Sequence, residues 1–290
     1  YDETEDAFAF PLSGGRCPFL DGENLCALHR AWGAEATPLT CQTHPRFTEE
    51  FGPFAERTLS AACPAANALL LGSREPLGFR EVETGDPGEE GDAWLPYLVP
   101  FRQRLFETLR DRSRPLRARL AEFLTLCLLG NAVLADAERE GAAPEGLLTL
   151  EGGTLEGELP EEGIFPAGFR LLASLEVLEP DWRDVLAQAG TAVPVPQDEA
   201  LLERIAVYFV YRSILTCVND GDLLGRGLYT VYLTLAAERI AAVCGLPEAL
   251  RRLSREVEHD ADNVEALLTA FREDAAFDVG CFLRELRDPE

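Results

Sequence analysis

Apolar residues recurring at helical spacing constrain this chain most. From Leu116 the positions Leu116, Leu120, Phe123, Leu124, Cys127 and Leu128 fall at offsets of 4, 7, 8, 11 and 12, one face of an α-helix. Pro115, following Ser113, suits its first turn. Cys127 shares that face with the leucines and reads as a small core residue. Asp198 is placed to cap a second helix carrying Leu201, Leu202, Ile205, Tyr208, Phe209 and Arg212. Another helix is expected over about 224–243, and Gly245 with Pro247 separates it from the next. That next helix is expected to carry LSREVEHDADNVEALL, with Leu253, Val257, Ala261, Val264, Leu268 and Phe271 on a common side. A final helix passes through Phe277, Phe282 and Leu286. Period-two runs of β-branched residues are nearly absent, so the expected fold class is mainly α.

The chain has 290 residues, of which 47% are hydrophobic, enough to fill a substantial core. Its longest apolar runs, about Phe123–Leu129 and Ile205–Tyr211, fall short of the ~18–20 residues of a membrane span, so no membrane partner is expected. The opening YDETED is acidic rather than basic, unlike a secretory signal, and a cytoplasmic location follows as an expectation. A net charge of −25 argues against nucleic acid as a partner, which would call for a basic stripe. Lysine and methionine are both absent, so every cationic side chain apart from histidine is arginine. A coding bias toward Ala, Gly, Pro and Arg explains a shortage of lysine and not the loss of both types. Modified lysine and methionine positions missing from the sequence are the expectation, and motifs therefore weigh more than long intervals.

Residues 17–63 break the helical pattern. Pro18, Gly22, Gly33, Pro38, Pro45, Gly52 and Pro53 interrupt any long period, leaving short pieces such as LCALHRAWG. Cys17, Cys26, Cys41 and Cys63 are separated by 8, 14 and 21 residues, looser than the tight pairs of a zinc finger. Thiolates nevertheless suit iron-sulfur clusters or zinc, and a loop-rich segment is where a metal substitutes for a missing core. His29 and His44 are further candidate ligands or simple helix caps. The alternative is four reduced, unrelated thiols. The expected organisation is a loop-rich cysteine module over 1–83 packed on a larger helical domain over 93–290, with a loop-rich insertion around 141–168. No GxGxxG follows an expected strand, so a Rossmann-type cofactor site has no support.

Three blocks, CPFLDGENLCALHRAWG with CQTHPRF, ERTLSAACPAANALLL, and VYFVYRSIL with LRRLSREVEHD, resemble the flagellin lysine-N-methylase family, a branch of the cysteine-rich zinc- or iron-chelating proteins. The likeness covers about 17–75 and 198–287, with a weaker middle. It implies methyl transfer from S-adenosylmethionine to flagellin lysines, with an iron-sulfur cluster, or zinc as the alternative, on Cys17, Cys26, Cys41 and Cys63. It also implies Arg255, Glu258 and His259 at the reacting centre, and Arg46 and Ser254 at the cofactor. The family opens with a further cysteine-dense segment that this sequence lacks, so the metal site is expected to be incomplete. Lysine methylation needs a neutral amine, so a site must overcome an ordinary pKa of about 10.4. Glu258 could orient the amine and His259 relay its proton. Without the likeness, Arg255 and Glu258 read as an i,i+3 surface ion pair. A second function class also stands: a non-catalytic metal-binding module that docks a protein partner.

Overall fold

Helices follow the apolar spacing along most of the chain. The computed structural model describes residues 13–14, 16–82, 90–153 and 163–287. The expected linker after Glu75 and the insertion at 141–168 fall partly on residues 83–89 and 154–162, and the approach over 1–16 falls mostly on 1–12 and 15. Those residues lie outside the described ones.

The chain divides into two compact units, Tyr1–Phe47 and Thr48–Glu290. In the first, α1 (Ala27–Trp32) stops at Gly33, whose φ of 85° favours glycine, and α2 (Leu39–Thr43) follows Pro38. At the boundary begins β1 (Arg46–Glu50), which pairs with β2 (Ala55–Leu59) in the only sheet among the described residues.

The second unit holds α3 (Pro64–Leu71), α4 (Leu95–Arg110), α5 (Leu116–Glu140), α6 (Gly146–Thr149), α7 (Phe165–Ser174), α8 (Trp182–Thr191), α9 (Glu199–Ser213), α10 (Leu223–Cys244), α11 (Leu246–Leu253), α12 (Ala261–Glu273) and α13 (Val279–Leu286). The mainly α expectation holds. The division falls after Phe47 rather than near residue 83 because α3 is part of the helical core. Ala66 and Leu70 are buried, Asn67 Nδ2 donates to the Pro247 carbonyl (3.0 Å), and α3 packs on α9 and α11.

At the centre lies α10, against α5, α8, α9 and α11. Gly227 permits a close approach to α5: a Cβ there would meet Cys127 Cβ at 2.7 Å and its sulfur at 2.9 Å. Cys127 is fully buried, as its helical face required, and burial pushes its thiol pKa up. By length and composition α5 and α10 could cross a membrane, contrary to the reading of short apolar runs. In this fold they are core helices, with 50% and 72% of their most apolar stretch buried inside the protein.

Buried arginine–glutamate pairs tie the helices together. Glu203 on α9 is fully buried and accepts from Arg112 Nε and Nη2 and from Arg119 Nη1, each at 2.8 Å. Arg204, one residue on, donates to the Leu70 carbonyl at 2.6 Å, near the C-terminal end of α3 where carbonyls lack helical partners. On α11, Glu248 accepts from Arg251 (2.7 Å twice) and Arg252 (2.7 Å), which reach on to Glu179 and Asp181 before α8.

Hydrogen bonds from Arg251, then Arg252, hold the Glu248 carboxyl well below the ordinary glutamate range, at about 2. A carboxyl with a depressed folded-state pKa contributes stability above its unfolded value, and that stability disappears as pH falls toward the folded one. The melting temperature should therefore drop between about pH 4.5 and 2, and Glu248→Gln should lose less over that interval. Thermal melts of both proteins across the range check this; equal slopes would contradict it.

Candidate functional site

Two of the three resemblance-bearing blocks, the one that holds ERTLS and the one that holds VYFVYRSIL and LRRLSREVEHD, meet in the second unit. β2 and the residue after it present Glu56, Thr58 and Ser60 inward on the two-residue period of a strand, while Ala55, Arg57 and Leu59 are exposed. Each inward side chain is polar, and each meets a partner. Glu56 takes both terminal nitrogens of Arg102 on α4, one at 2.6 Å. Thr58 Oγ1 accepts from Arg212 Nη1 on α9 at 3.0 Å. Ser60 Oγ lies 3.0 Å from His259 Nε2 and 3.4 Å from Ser254 Oγ.

From α9, Tyr208 and Arg212 share one face at i,i+4 spacing. Arg212 Nε donates to Glu258 Oε1 at 2.5 Å, and the Tyr208 hydroxyl donates to Glu258 Oε2 at 3.2 Å while accepting from the Ala61 backbone N–H at 3.2 Å. The side chains of Glu258 and Arg212 are only 3% and 13% exposed. Burial and the adjacent Glu258 charge push the Tyr208 phenol upward, so it stays protonated across the working range. For Arg212, burial acts to lower the pKa, but the Glu258 carboxylate outweighs it and the net shift is upward.

The third block departs from the expected continuous helix. After α11 the chain widens into a π-turn over Ser254–Glu258, passes His259, and restarts at Asp260, whose carboxylate caps α12 by accepting the Asp262 N–H at 2.8 Å. Widening separates residues that α-helical spacing would stack. Arg255 does not pair with Glu258; it turns outward, 47% exposed, with Nη1 3.5 Å from Glu179 Oε1. Glu256 instead points inward and accepts the Leu178 and Glu179 N–H groups at 2.8 Å each.

Of the sequence-derived candidates, Ser254, Glu258 and His259 thus share one polar cluster. Ser254 is fully buried with its hydroxyl toward Ser60, Glu258 is enclosed by Arg212 and Tyr208, and His259 forms the exposed edge. Arg255 lies outside the cluster, and Arg46 opens β1 with its side chain exposed. Sequence reasoning missed Thr58, Ser60, Tyr208 and Arg212 as members, although ERTLS and YFVYR stood within the blocks that carried the resemblance.

The four candidate cysteines are spread over both units. In the first unit, Cys17 and Cys26 are half-buried and Cys41 is exposed, whereas Cys63 precedes α3 in the second. The Cys17–Cys26 loop is held by Asp21, whose carboxylate accepts the Glu23 and Leu25 N–H groups at 2.9 and 3.0 Å, and by a backbone bridge between Leu20 and Cys26. Among the described residues no three His, Cys, Asp or Glu side chains are arranged to hold a metal ion. Nor does Ser254, sealed against Ser60, present its hydroxyl to a cofactor. As described, Ser254 spends its hydroxyl on Ser60, and the four cysteines divide between the two units.

Fold and site together define a mainly α protein with a polar centre built from a strand, a long helix and a π-turn. No family model matches the chain, and no solved structure matches it. Partial likeness exists to the flagellar biosynthetic protein FliU of Salmonella muenchen, 31% identical over 74 residues, which is 26% of this chain and 44% of that protein. Lysine-N-methylases of Salmonella typhimurium and Salmonella choleraesuis are each 31% identical over 71 residues, 24% of this chain and 18% of theirs. The matched stretch therefore spans less than half of each curated relative.

Glu258→Ala should destabilise the second unit by about 3–5 kcal/mol, because it strands Arg212 without its buried partner. Glu258→Leu combined with Arg212→Met should recover much of the loss, whereas His259→Ala should cost about 1 kcal/mol, the worth of one ordinary hydrogen bond. Urea denaturation of the four proteins checks the ordering.

Proposed function

We propose that this chain is a protein lysine N-methylase acting on flagellin, with S-adenosylmethionine as methyl donor. The observation that carries the reading is the 31% identity to the two lysine-N-methylases. The meeting of the ERTLS, YFVYR and SREVEH blocks around one polar cluster supports it. S-adenosylmethionine, when bound, supplies an electrophilic methyl group on a sulfonium.

Within this reading the chain's own residues have distinct tasks. His259, exposed and with its Nε2 set by Ser60, is the group that takes the proton from a lysine ammonium. Glu258 acts from inside as a positioning residue, fixing the π-turn from which His259 emerges through Arg212 and Tyr208. Arg255, outward and near Glu179, is available to the substrate surface. With Ser254 sealed against Ser60, Arg46 is the cofactor candidate of the reading, and Cys17, Cys26, Cys41 and Cys63 are its candidate ligands for an iron-sulfur cluster or zinc.

A second reading is favoured by one observation: Ser254 and Glu258 spend their polar groups on internal partners. In it the SREVEH block is structural, and the protein is a non-catalytic metal-binding module that docks a protein partner. Incubation of the metal-replete protein with labelled S-adenosylmethionine and flagellin separates the two. Label on flagellin lysines, reduced at least tenfold by His259→Ala at a temperature where the variant stays folded, is the expected result. No transfer by the folded, metal-replete protein overturns the methylase reading.

A further inference from the structure

One cleft of the second unit lies apart from this cluster. Between α7, α8, α10 and α13 opens a cavity of about 690 Å³, within the range of small-molecule sites. Its chemistry inverts that of the chain. The protein carries a net charge of −25, yet among the described residues four arginines and a single carboxylate line this space. Arg170, Arg183 and Arg284 are exposed around its rim. Arg239, half-buried, lies deeper, its guanidinium 5.4 Å from the centre of the Phe165 ring.

Two features deepen the contrast. Arg239 Nε is buried and has no hydrogen-bond partner among the described residues. An unpaired buried donor is costly, and a ligand acceptor would satisfy it. The one lining carboxylate, Glu285, is near enough to feel the charges of Arg239, Arg117 and Arg284, but no ion pair closes between it and Arg239 among the described residues. Along one wall Phe165 and Phe169 sit with ring centres 5.5 Å apart, and Leu186 continues the apolar surface. The two rings are tilted 45° to one another and Phe169 is buried, so Phe165, beside the Arg239 guanidinium, is the aromatic surface offered to a planar body joined to an anionic head.

We propose that this cleft binds a small anionic ligand with a planar aromatic body, its anion held by Arg239 and the rim arginines and its ring packed against Phe165. The site is separate from the Ser60–His259 cluster, and the proposal does not depend on the methylase reading. A sulfonium-bearing ligand is the wrong charge for it, because the arginines would repel the cation.

Anilinonaphthalene sulfonate, an aromatic anion, is the probe, with adenosine monophosphate and inorganic phosphate as competitors. Saturable fluorescence with one site per chain is expected, displaced by adenosine monophosphate at a concentration at least tenfold below that needed for phosphate. Arg239→Gln should weaken probe and nucleotide about tenfold, the worth of one charge-assisted hydrogen bond, at unchanged circular dichroism. Arg170→Gln, on the exposed rim, supplies the same test should the first variant fold poorly, with a weakening of about threefold. Binding unaffected by the folded variants overturns the assignment of the cleft. Displacement by phosphate as readily as by the nucleotide overturns the aromatic half of the proposal.

Discussion

The buried contact between Arg212 and Glu258 joins the elements that make up the polar centre. Arg212 reaches Glu258 with one nitrogen and Thr58 with another, so a single guanidinium ties the long helix, the π-turn and the strand. Tyr208, one helical turn earlier, repeats the connection from the Ala61 backbone to the same carboxylate. A guanidinium serves here because its planar donors point in fixed directions; an ammonium would offer charge without that geometry. The same logic recurs at Glu203, clasped by Arg112 and Arg119, and at Glu56, clasped by Arg102. Each of these buried carboxylates is met by arginine, the cation suited to desolvated contact.

Why the π-turn forms follows from what its residues must reach. Ser254 faces Ser60, Glu256 faces the backbone before α8, and Glu258 faces α9. Regular α-helical spacing would put 254 and 258 on one stripe and turn 256 away from both. One widened turn sends three alternating side chains to three partners, and the next helix starts afresh on the Asp260 cap. Such local departures often mark functional places, and here the departure is what brings His259 to the surface.

Helices were legible wherever burial is apolar. Leu116 to Cys127, Leu202 to Phe209 and the Asp198 cap declare themselves by spacing and by turn chemistry. The β1–β2 hairpin was not legible, because the strand test asks for an apolar inner face and β2 turns Glu56, Thr58 and Ser60 inward. Arg255 and Glu258 looked like an ordinary surface pair because α-helical spacing was assumed through the turn. Within the polar cluster, Ser254, Glu258 and His259 were singled out by likeness alone. Ser60 and Arg212 needed the fold, since residues about 150 to 200 positions apart in sequence carry no local signal of their meeting. For the cysteine segment the sequence suggested a metal in place of a core, and the described loop uses the Asp21 carboxylate for part of that work.

The polar inner face of β2 has a consequence for how this unit breathes. Lifting an apolar strand off a core exposes greasy surface, and the cost rises with its area. Lifting β2 would instead release Glu56 with Arg102 and Thr58 with Arg212, and water rehydrates both members of each pair together, leaving no charge stranded in a dry interior. Helix α10, buried on nearly every side, has no such exit. Amide exchange in β2 should therefore run through a local opening well below the global unfolding energy, while the amides of α10 wait for the whole unit to come apart.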